Sequence, residues 1–470
     1  MSNFESSLIK YLDAINEPLG LILLTLLAVA GIWFTIRTRG VQFRMLGEML
    51  RLLFQRDKNS HDTHISSFQA FNVALASRIG TGNLAGVATA IALGGPGAIF
   101  WMWVMALISA SNAFIESTLA QLFKIKGKDS FIGGPAYYIN KGLKKRWFAI
   151  IFAVAIILDF GLTNNMVQSN TISIAFTSAF DISPWIMAII LTTLSLVVIF
   201  GGIQRIAKVS SVVVPFMAII YLIITLYVIA CNFHLVPQVF KIIVTSAFGI
   251  NQAIGGTVGM AIMYGFKRGL FSNEAGEGSA PNAAATASVT HPVKQGLIQS
   301  LGVFTDTIFV CSCTAFIILC SGLYNTGANG IELTQLALNS EIGEIGSSII
   351  AILIFFFAFS SILGNYYYGE CNLFFISKSK NLLLAFRLLL GILVLWGALS
   401  TLELAWAFVD LFMAIMTICN LIAIILLGKY AVRCLNDYNA QRKQGLDPQY
   451  KSSTIPEIED VTECWNHESD

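Results

Sequence analysis

Residues 77 to 90, SRIGTGNLAGVATA, crowd Arg78, Gly80, Thr81, Gly82, Asn83 and Gly86 into an otherwise apolar run. Hydrocarbon offers no partner to a bare N–H or C=O, so a helix interrupted there must face protein, water or a ligand. A break at Gly80, Thr81 and Gly82 exposes two helix ends at one point. The first half ends in carbonyls near Ala76 and Ile79, which attract Na⁺ or an ammonium group. The second half opens with the amides of Thr81, Gly82 and Asn83, which attract a carboxylate. A zwitterion accompanied by a cation suits both ends. Glycine, with no side chain, lets a ligand come close to the backbone. The competing use of glycine in such helices is close packing, which suits Gly86 better than the Gly-Thr-Gly-Asn cluster.

The elements that must position this break are set by composition. Of 470 residues 56% are hydrophobic and only 12% charged, which places the chain in a bilayer. A net charge of +2 gives no reason to expect a nucleic-acid partner. Cys311, Cys313, Cys371 and Cys419 fall inside apolar runs and no CxxC pair occurs, so free thiols are expected. The first eighteen residues lack the basic start and small-residue cleavage site of a signal peptide, so the first apolar run is read as retained.

With about 20 apolar residues needed per span, eleven transmembrane helices are expected in an all-α membrane protein. Their approximate bounds are 19–36, 68–91, 97–123, 148–177, 184–200, 210–231, 244–265, 295–321, 347–376, 381–398 and 402–428. Splitting 148–177 or 347–376 would change the count, but thirty residues also fit one tilted helix. Lysine and arginine gather in 37–67, in 124–147, and in the pairs Arg205 with Lys208, Lys267 with Arg268, and Lys378 with Lys380. Segment 322–346 carries neither. Basic loops mark the cytoplasmic side, so the N-terminus is expected outside and the C-terminus inside a cell membrane. Segment 40–57 reads as an amphipathic helix on the membrane's inner face or as an ordinary basic connector. The polar tail from Lys429 cannot bury enough apolar surface to fold alone and reads as a cytoplasmic appendage.

A second interruption is expected in the seventh span, at Gly255, Gly256 and Gly259 in AIGGTVGMA. The broken spans are five apart, and because five is odd, two five-helix units starting with them have opposite topologies. Interrupted spans at matching places in inverted repeats point to a transporter's binding site. The division expected is 1–67 (first helix and basic connector), repeats over 68–231 and 244–428, and a tail over 429–470.

IGTGNLAGVATAIALGGPGAIFWMW, GGPAYYI at 133–139, GFKRGLFSNEAGEGSAPNAAATA and HPVKQGLIQSLGVFTDT resemble the sodium:alanine (alanine or glycine:cation) symporter family over much of residues 70 to 315. Ser109 departs from it, where the family tends to place a glycine after the FWMW run. The resemblance implies a leucine-transporter-type fold of inverted five-helix repeats plus one extra N-terminal helix, and sodium-coupled uptake of a small neutral amino acid. It also implies that Ala76 and Ile79 offer carbonyls to Na⁺. Phe357 would add a carbonyl, and Ser360 and Ser361 their hydroxyls. Without the family, a Ser-Ser pair in a helix is read as bonding its own backbone.

Asn72, two turns before the break, and Gln168 in TNNMVQSN could reach a substrate, although intramembrane amides also join helices. Arg78, Glu116, Asp159, Asp306 and Glu370 are costly in a bilayer unless paired or wet. The expectation is a structural or gating pair of Arg78 with one of the acids, the alternative being Arg78 as a carboxylate clamp. Glu274 and Glu277 read as part of an inner-face loop after Lys267 and Arg268. All five histidines fall in expected loops or the tail, which argues against an enzyme. A channel would want a continuous polar or charged ring, and a sensor a folded signalling domain. The partners expected are a small neutral amino acid, Na⁺ and membrane lipid. Proton coupling and acceptance of glutamine stay open as alternatives.

Overall fold

The structure, a computed structural model, describes residues 3–55, 65–127, 130–249, 258–400 and 402–465. The first helix, α1 (Asn3–Arg37), is followed by short α2 (Val41–Arg44) and α3 (Leu46–Phe54). Then come α4 (Ser67–Arg78), a π-helical turn over Gly82–Gly86, α5 (Val87–Gly94) and α6 (Gly97–Leu122). A hairpin of β1 (Ile125–Lys126) and β2 (Phe131–Ile132) leads to α7 (Pro135–Gly142). Helices α8 (Arg146–Leu158) and α9 (Asn164–Phe180) form one rod interrupted by a π turn over Asp159–Thr163. They are followed by α10 (Pro184–Ile199), α11 (Gly202–Cys231) and α12 (Val236–Ala247).

The second half runs through α13 (Val258–Asn273), α14 (Ala280–Ala284) and α15 (Pro292–Val303), then a π turn over Phe304–Cys311 and α16 (Ser312–Ser321). It ends with α17 (Gly330–Ile342), α18 (Ile345–Ile376), α19 (Lys380–Leu399) and α20 (Leu402–Lys443). Among the described residues, eight helices are long and apolar enough to cross a membrane. In lipid a spanning chain must satisfy its backbone within its own helix or, where a helix breaks, with groups that the protein supplies.

Two differences from the sequence reading matter for the site. Within the span expected over 244–265, α12 stops at Ala247 and α13 begins at Val258 and continues past the expected end to Asn273, where a turn over Glu274–Ser279 follows. Gly255 and Gly256 lie outside the described residues. Lys267 and Arg268 therefore do not join the basic cluster after α6. A Cβ on Gly265 would touch Ala98 and Trp101, and one on Gly269 would touch Met102, so this stretch packs on the first turns of α6, whereas Lys124 follows its last.

The tail is also more than an appendage. Helix α20 continues past residue 428 to Lys443, and Tyr450, Ile455, Ile458 and Trp465 are buried against the body. The Trp465 indole donates to the Gln121 carbonyl at 3.0 Å, and the Lys124 ammonium lies 4.9 Å from its ring. Tyr438 and Arg442 on α20 reach Glu48 on α3 at 2.6 and 3.0 Å. Segment 429–465 is polar by composition, yet most of its large apolar groups, Leu446 excepted, face the surface that the body supplies. All eight cysteines are free thiols.

Candidate functional site

Ser66 opens α4 with a capping box: its hydroxyl accepts from the Gln69 N–H at 3.2 Å and the Gln69 side chain accepts from the Ser66 N–H at 3.0 Å. The helix stops at Arg78, because Ile79, with ψ 85°, leaves helical geometry. The amides freed there are met by side-chain oxygens. Gly80 N–H donates to Asn83 Oδ1 at 3.0 Å, and Thr81 N–H donates to Gln168 Oε1 at 3.1 Å. The Thr81 hydroxyl is buried and has no partner among the described residues.

On the carbonyl side, oxygens outnumber donors. The Ser361 hydroxyl lies 2.9 Å from Ala76 O, 3.1 Å from Ser77 O, 3.4 Å from Ile79 O and 3.1 Å from Phe357 O. One hydroxyl hydrogen serves one of them. Ser360 Oγ donates to Phe357 O at 2.9 Å. Ala76, Ile79, Phe357, Ser360 and Ser361 thus bring their oxygens to the junction of α4 and α18, and oxygen ligands of this kind suit a hard cation. A Cβ at position 80 would collide with Ser361 Oγ and come within 2.9 Å of Gln168 Oε1, so glycine is required where the two oxygen sets meet.

The second break abuts the first. A Cβ on Gly82 would come within 3.1 Å of the Phe271 ring and 3.2 Å of Ser272 Cα, at the end of α13. Beyond it the chain turns through Gly276 (φ +92°) and Gly278 (φ +87°), a left-handed backbone suited to glycine. Glu116 on α6 accepts the freed amides of Gly276 and Gly278, both at 3.1 Å, and the Asn420 side-chain amide at 2.7 Å. Asp306 accepts from Asn83 Nδ2 and from the Ser272 hydroxyl, both at 2.7 Å, and so holds one residue from each break.

Glu274 and Glu277 are therefore not inner-face residues. Both are buried in the interior, and the Glu274 carboxyl lies 2.6 Å from the Ser77 hydroxyl of the first break. Sequence reasoning missed this turn, although glycines alternating with carboxylates in NEAGEGSAPN carried the signal. Asn164 and Asn365 were also missed. Asn164 Oδ1 accepts from Gln168 Nε2 at 3.0 Å and from Asn365 Nδ2 at 3.3 Å, extending the polar wall behind Thr81.

Other expected residues stand apart. Asn72 donates to Phe68 O of its own helix at 2.8 Å, an intrahelical bond that keeps its amide off the break. Arg78 forms no ion pair among the described residues; its Nη1 donates to Gln299 O at 3.1 Å. The acids weighed as its partner are engaged otherwise or bare. Glu116 and Asp306 are bonded as above, Glu370 pairs with Arg387 at 3.3 Å, and neither oxygen of Asp159 has a hydrogen bond of good geometry among the described residues. On the side toward the start of α6, Phe271 packs on Trp406 with ring centres 4.9 Å apart, Arg268 lies 4.3 Å over the same ring, and Lys267 pairs with Asp410.

A family model described as the sodium:alanine symporter family matches residues 5–452. A Bacillus subtilis protein named "Probable sodium/glutamine symporter" is 49% identical over 94% of this chain and 93% of its own. A second B. subtilis protein, an amino-acid carrier, is 49% identical over 100% and 99%. A sodium/alanine symporter of Methanococcus maripaludis is 38% identical over 90% and 95%.

Proposed function

Since the chain belongs to the sodium:alanine symporter family, and is therefore a sodium-coupled membrane transporter and not an enzyme, we propose that it carries alanine or glycine into the cell by alternating access. The observation that carries this reading is the meeting of two broken helices, with a donor-poor oxygen cluster on one side of Gly80 and a freed amide on the other. Gln168 Oε1 occupies the Thr81 amide in the way a substrate carboxylate oxygen would. In the proposed cycle the carboxylate displaces it onto Thr81, Gly82 and Asn83, while Na⁺ sits among Ala76, Ile79, Phe357, Ser360 and Ser361. The Phe271 ring, 3.1 Å from where a Cβ on Gly82 would stand, is proposed to bound the space for the side chain. Gly255 and Gly256 are proposed to line the same space.

The reading extends to architecture. Eleven spans, with 68–231 and 244–428 as inverted repeats after a 1–67 leader, would pair the break at Gly80 with that at Glu274–Ser279. The basic ends would face the cytoplasm together with the 429–470 tail, leaving the N-terminus outside. Exposed Phe43, Leu46, Leu50 and Phe54 on α2 and α3 would lie in lipid at that face. Acceptance of glutamine is a second reading, favoured by the amides of Asn164, Gln168 and Asn365 at the site and by the name of the B. subtilis relative.

The test is uptake of labelled alanine, glycine and glutamine by purified protein in liposomes, with an inward sodium gradient or with potassium in its place. Alanine and glycine should accumulate only with sodium. Accumulation of glutamine alone would select the second reading, and equal uptake without sodium would overturn the coupling.

A further inference from the structure

The buried acids differ in how their charge is met. Glu116 receives three hydrogen bonds, Asp306 accepts from Asn83, Ser272 and Thr307, and Glu274 lies against the hydroxyls of Ser77 and Ser279. Asp159 is fully buried, and among the described residues neither carboxyl oxygen receives a hydrogen bond of good geometry, although the Asn164 amide stands beside it. It opens the π turn that interrupts the rod of α8 and α9 near its middle. A bare carboxylate in such a place is among the most expensive groups a protein can bury, and it persists by taking up a proton or a cation.

The surroundings decide between these. The charged group facing Asp159 from α20 is Asp410, and those from the turn after α13 are Glu274 and Glu277. From α18 comes Tyr368, whose ring packs on Phe160 at 5.5 Å. From α19 comes the uncharged Phe386, against Gly161, and from α9 the Asn164 amide. The Arg78 guanidinium acts on Glu116, Glu274, Glu277 and Asp306. Asp159 thus lies among acids, of which Asp410 is paired with Lys267, and no ion pair is made by Asp159 itself among the described residues. A proton, which needs one oxygen and no cage, fits.

We propose that Asp159 is a proton-binding site of the transport cycle, distinct from the sodium cluster at Ser361. Its link to the substrate break runs through Asn164, five residues on, whose Oδ1 accepts from Gln168; Gln168 in turn accepts the Thr81 N–H. Ionising Asp159 draws the neighbouring Asn164 amide toward the carboxylate and so pulls on the group that occupies the carboxylate position. A π turn is a place where a helix can shift register to permit this. The proton enters from water when the site is open to one side, binds one carboxyl oxygen and leaves to the other side. No bond other than O–H forms or breaks.

This proposal rests on the sodium-coupled reading above, and two measurements keep the two apart. The first needs no substrate: infrared difference spectra of the full-length protein between about pH 9 and about pH 5 should show a carboxylic-acid C=O band that Asp159→Asn removes and Asp159→Glu restores at a shifted position. A band unchanged in Asp159→Asn overturns the proposal. The second is alanine uptake into liposomes holding a pH dye. Wild-type uptake should acidify the lumen and rise by up to about tenfold per pH unit as the outside is acidified through the titration. Asp159→Asn should retain sodium-driven uptake while losing both effects, whereas equal acidification by this variant overturns the assignment. Absence of any sodium-driven uptake by wild type would sink the transport reading and leave the infrared result to decide Asp159.

Discussion

Gly80 is the residue on which the oxygen cluster and the freed amide both depend. A methyl group there would strike the Ser361 hydroxyl and crowd Gln168, whereas the nearest atom to a Cβ on Gly86 is Thr81 O at an ordinary 3.8 Å. Gly80→Ala should therefore abolish alanine uptake while Gly86→Ala retains most of it, both measured at matched protein levels in liposomes. Comparable uptake by the two variants would remove Gly80 from the site. The serines make a separate prediction. Replacing Ser360 and Ser361 by alanine takes two oxygens from a buried cation, and the sodium concentration for half-maximal alanine binding should rise by about tenfold or more, equivalent to ~1.4 kcal/mol. An unchanged midpoint would dismiss the cluster as the sodium site. The glycines here were legible in the sequence because a break in an apolar run stands out by composition, whereas Ser360 and Ser361 came only from the family resemblance. Asn164 and Asn365 were not legible, since an amide reads the same whether it serves a site or joins two helices.

At the scale of elements, the first broken helix could be read from SRIGTGN; the interruption expected at Gly255 and Gly256 lies outside the described residues, and the turn at Glu274–Ser279 reads by sequence as an inner-face loop. Gly255 and Gly256 look like an interruption by residue type, and the EAGEGS turn looks too polar to be interior. What hydropathy cannot register is that Glu116, 160 residues from Gly276, accepts the amides the turn sets free. The carboxylate and the amides cancel each other's burial cost only once α6 lies beside them. Glu116→Gln keeps the shape but turns a donor toward donors, and should destabilise the protein by about 1–3 kcal/mol, read as a lower thermal midpoint in detergent. A midpoint equal to wild type would mean that water already relieves the turn. The same blindness explains Lys267 and Arg268, which composition assigned to a basic loop and which instead lie at Asp410 and Trp406.

Over the whole molecule, α20 and the segment after it fasten one end of the bundle. Glu48 on α3 is buried, which by itself raises its pKa, but hydrogen bonds from Arg51 and Tyr438 and the charge of Arg442 outweigh burial and hold the carboxyl below its ordinary 4.5. A depressed carboxyl binds fewer protons folded than unfolded, so its contribution is present above pH 4.5 and is lost as pH falls through and below that value. Thermal midpoints of wild type should fall with acidification through that range more steeply than those of Glu48→Gln, and parallel curves would exclude the junction as a stability determinant. The contact of Gly82 with Phe271 and Ser272 carries a consequence for biosynthesis. These residues are 189 and 190 positions apart, so when Gly82 leaves the ribosome nothing exists to cover its broken helix. The interrupted backbone must wait, shielded by neighbouring helices or by water, until the second half has been inserted, and such distant pairing is slow. Assembly of the nascent chain should then be limited by this late union, and a chain cut between α11 and α12 should regain sodium-dependent alanine binding only when both pieces are made in the same membrane.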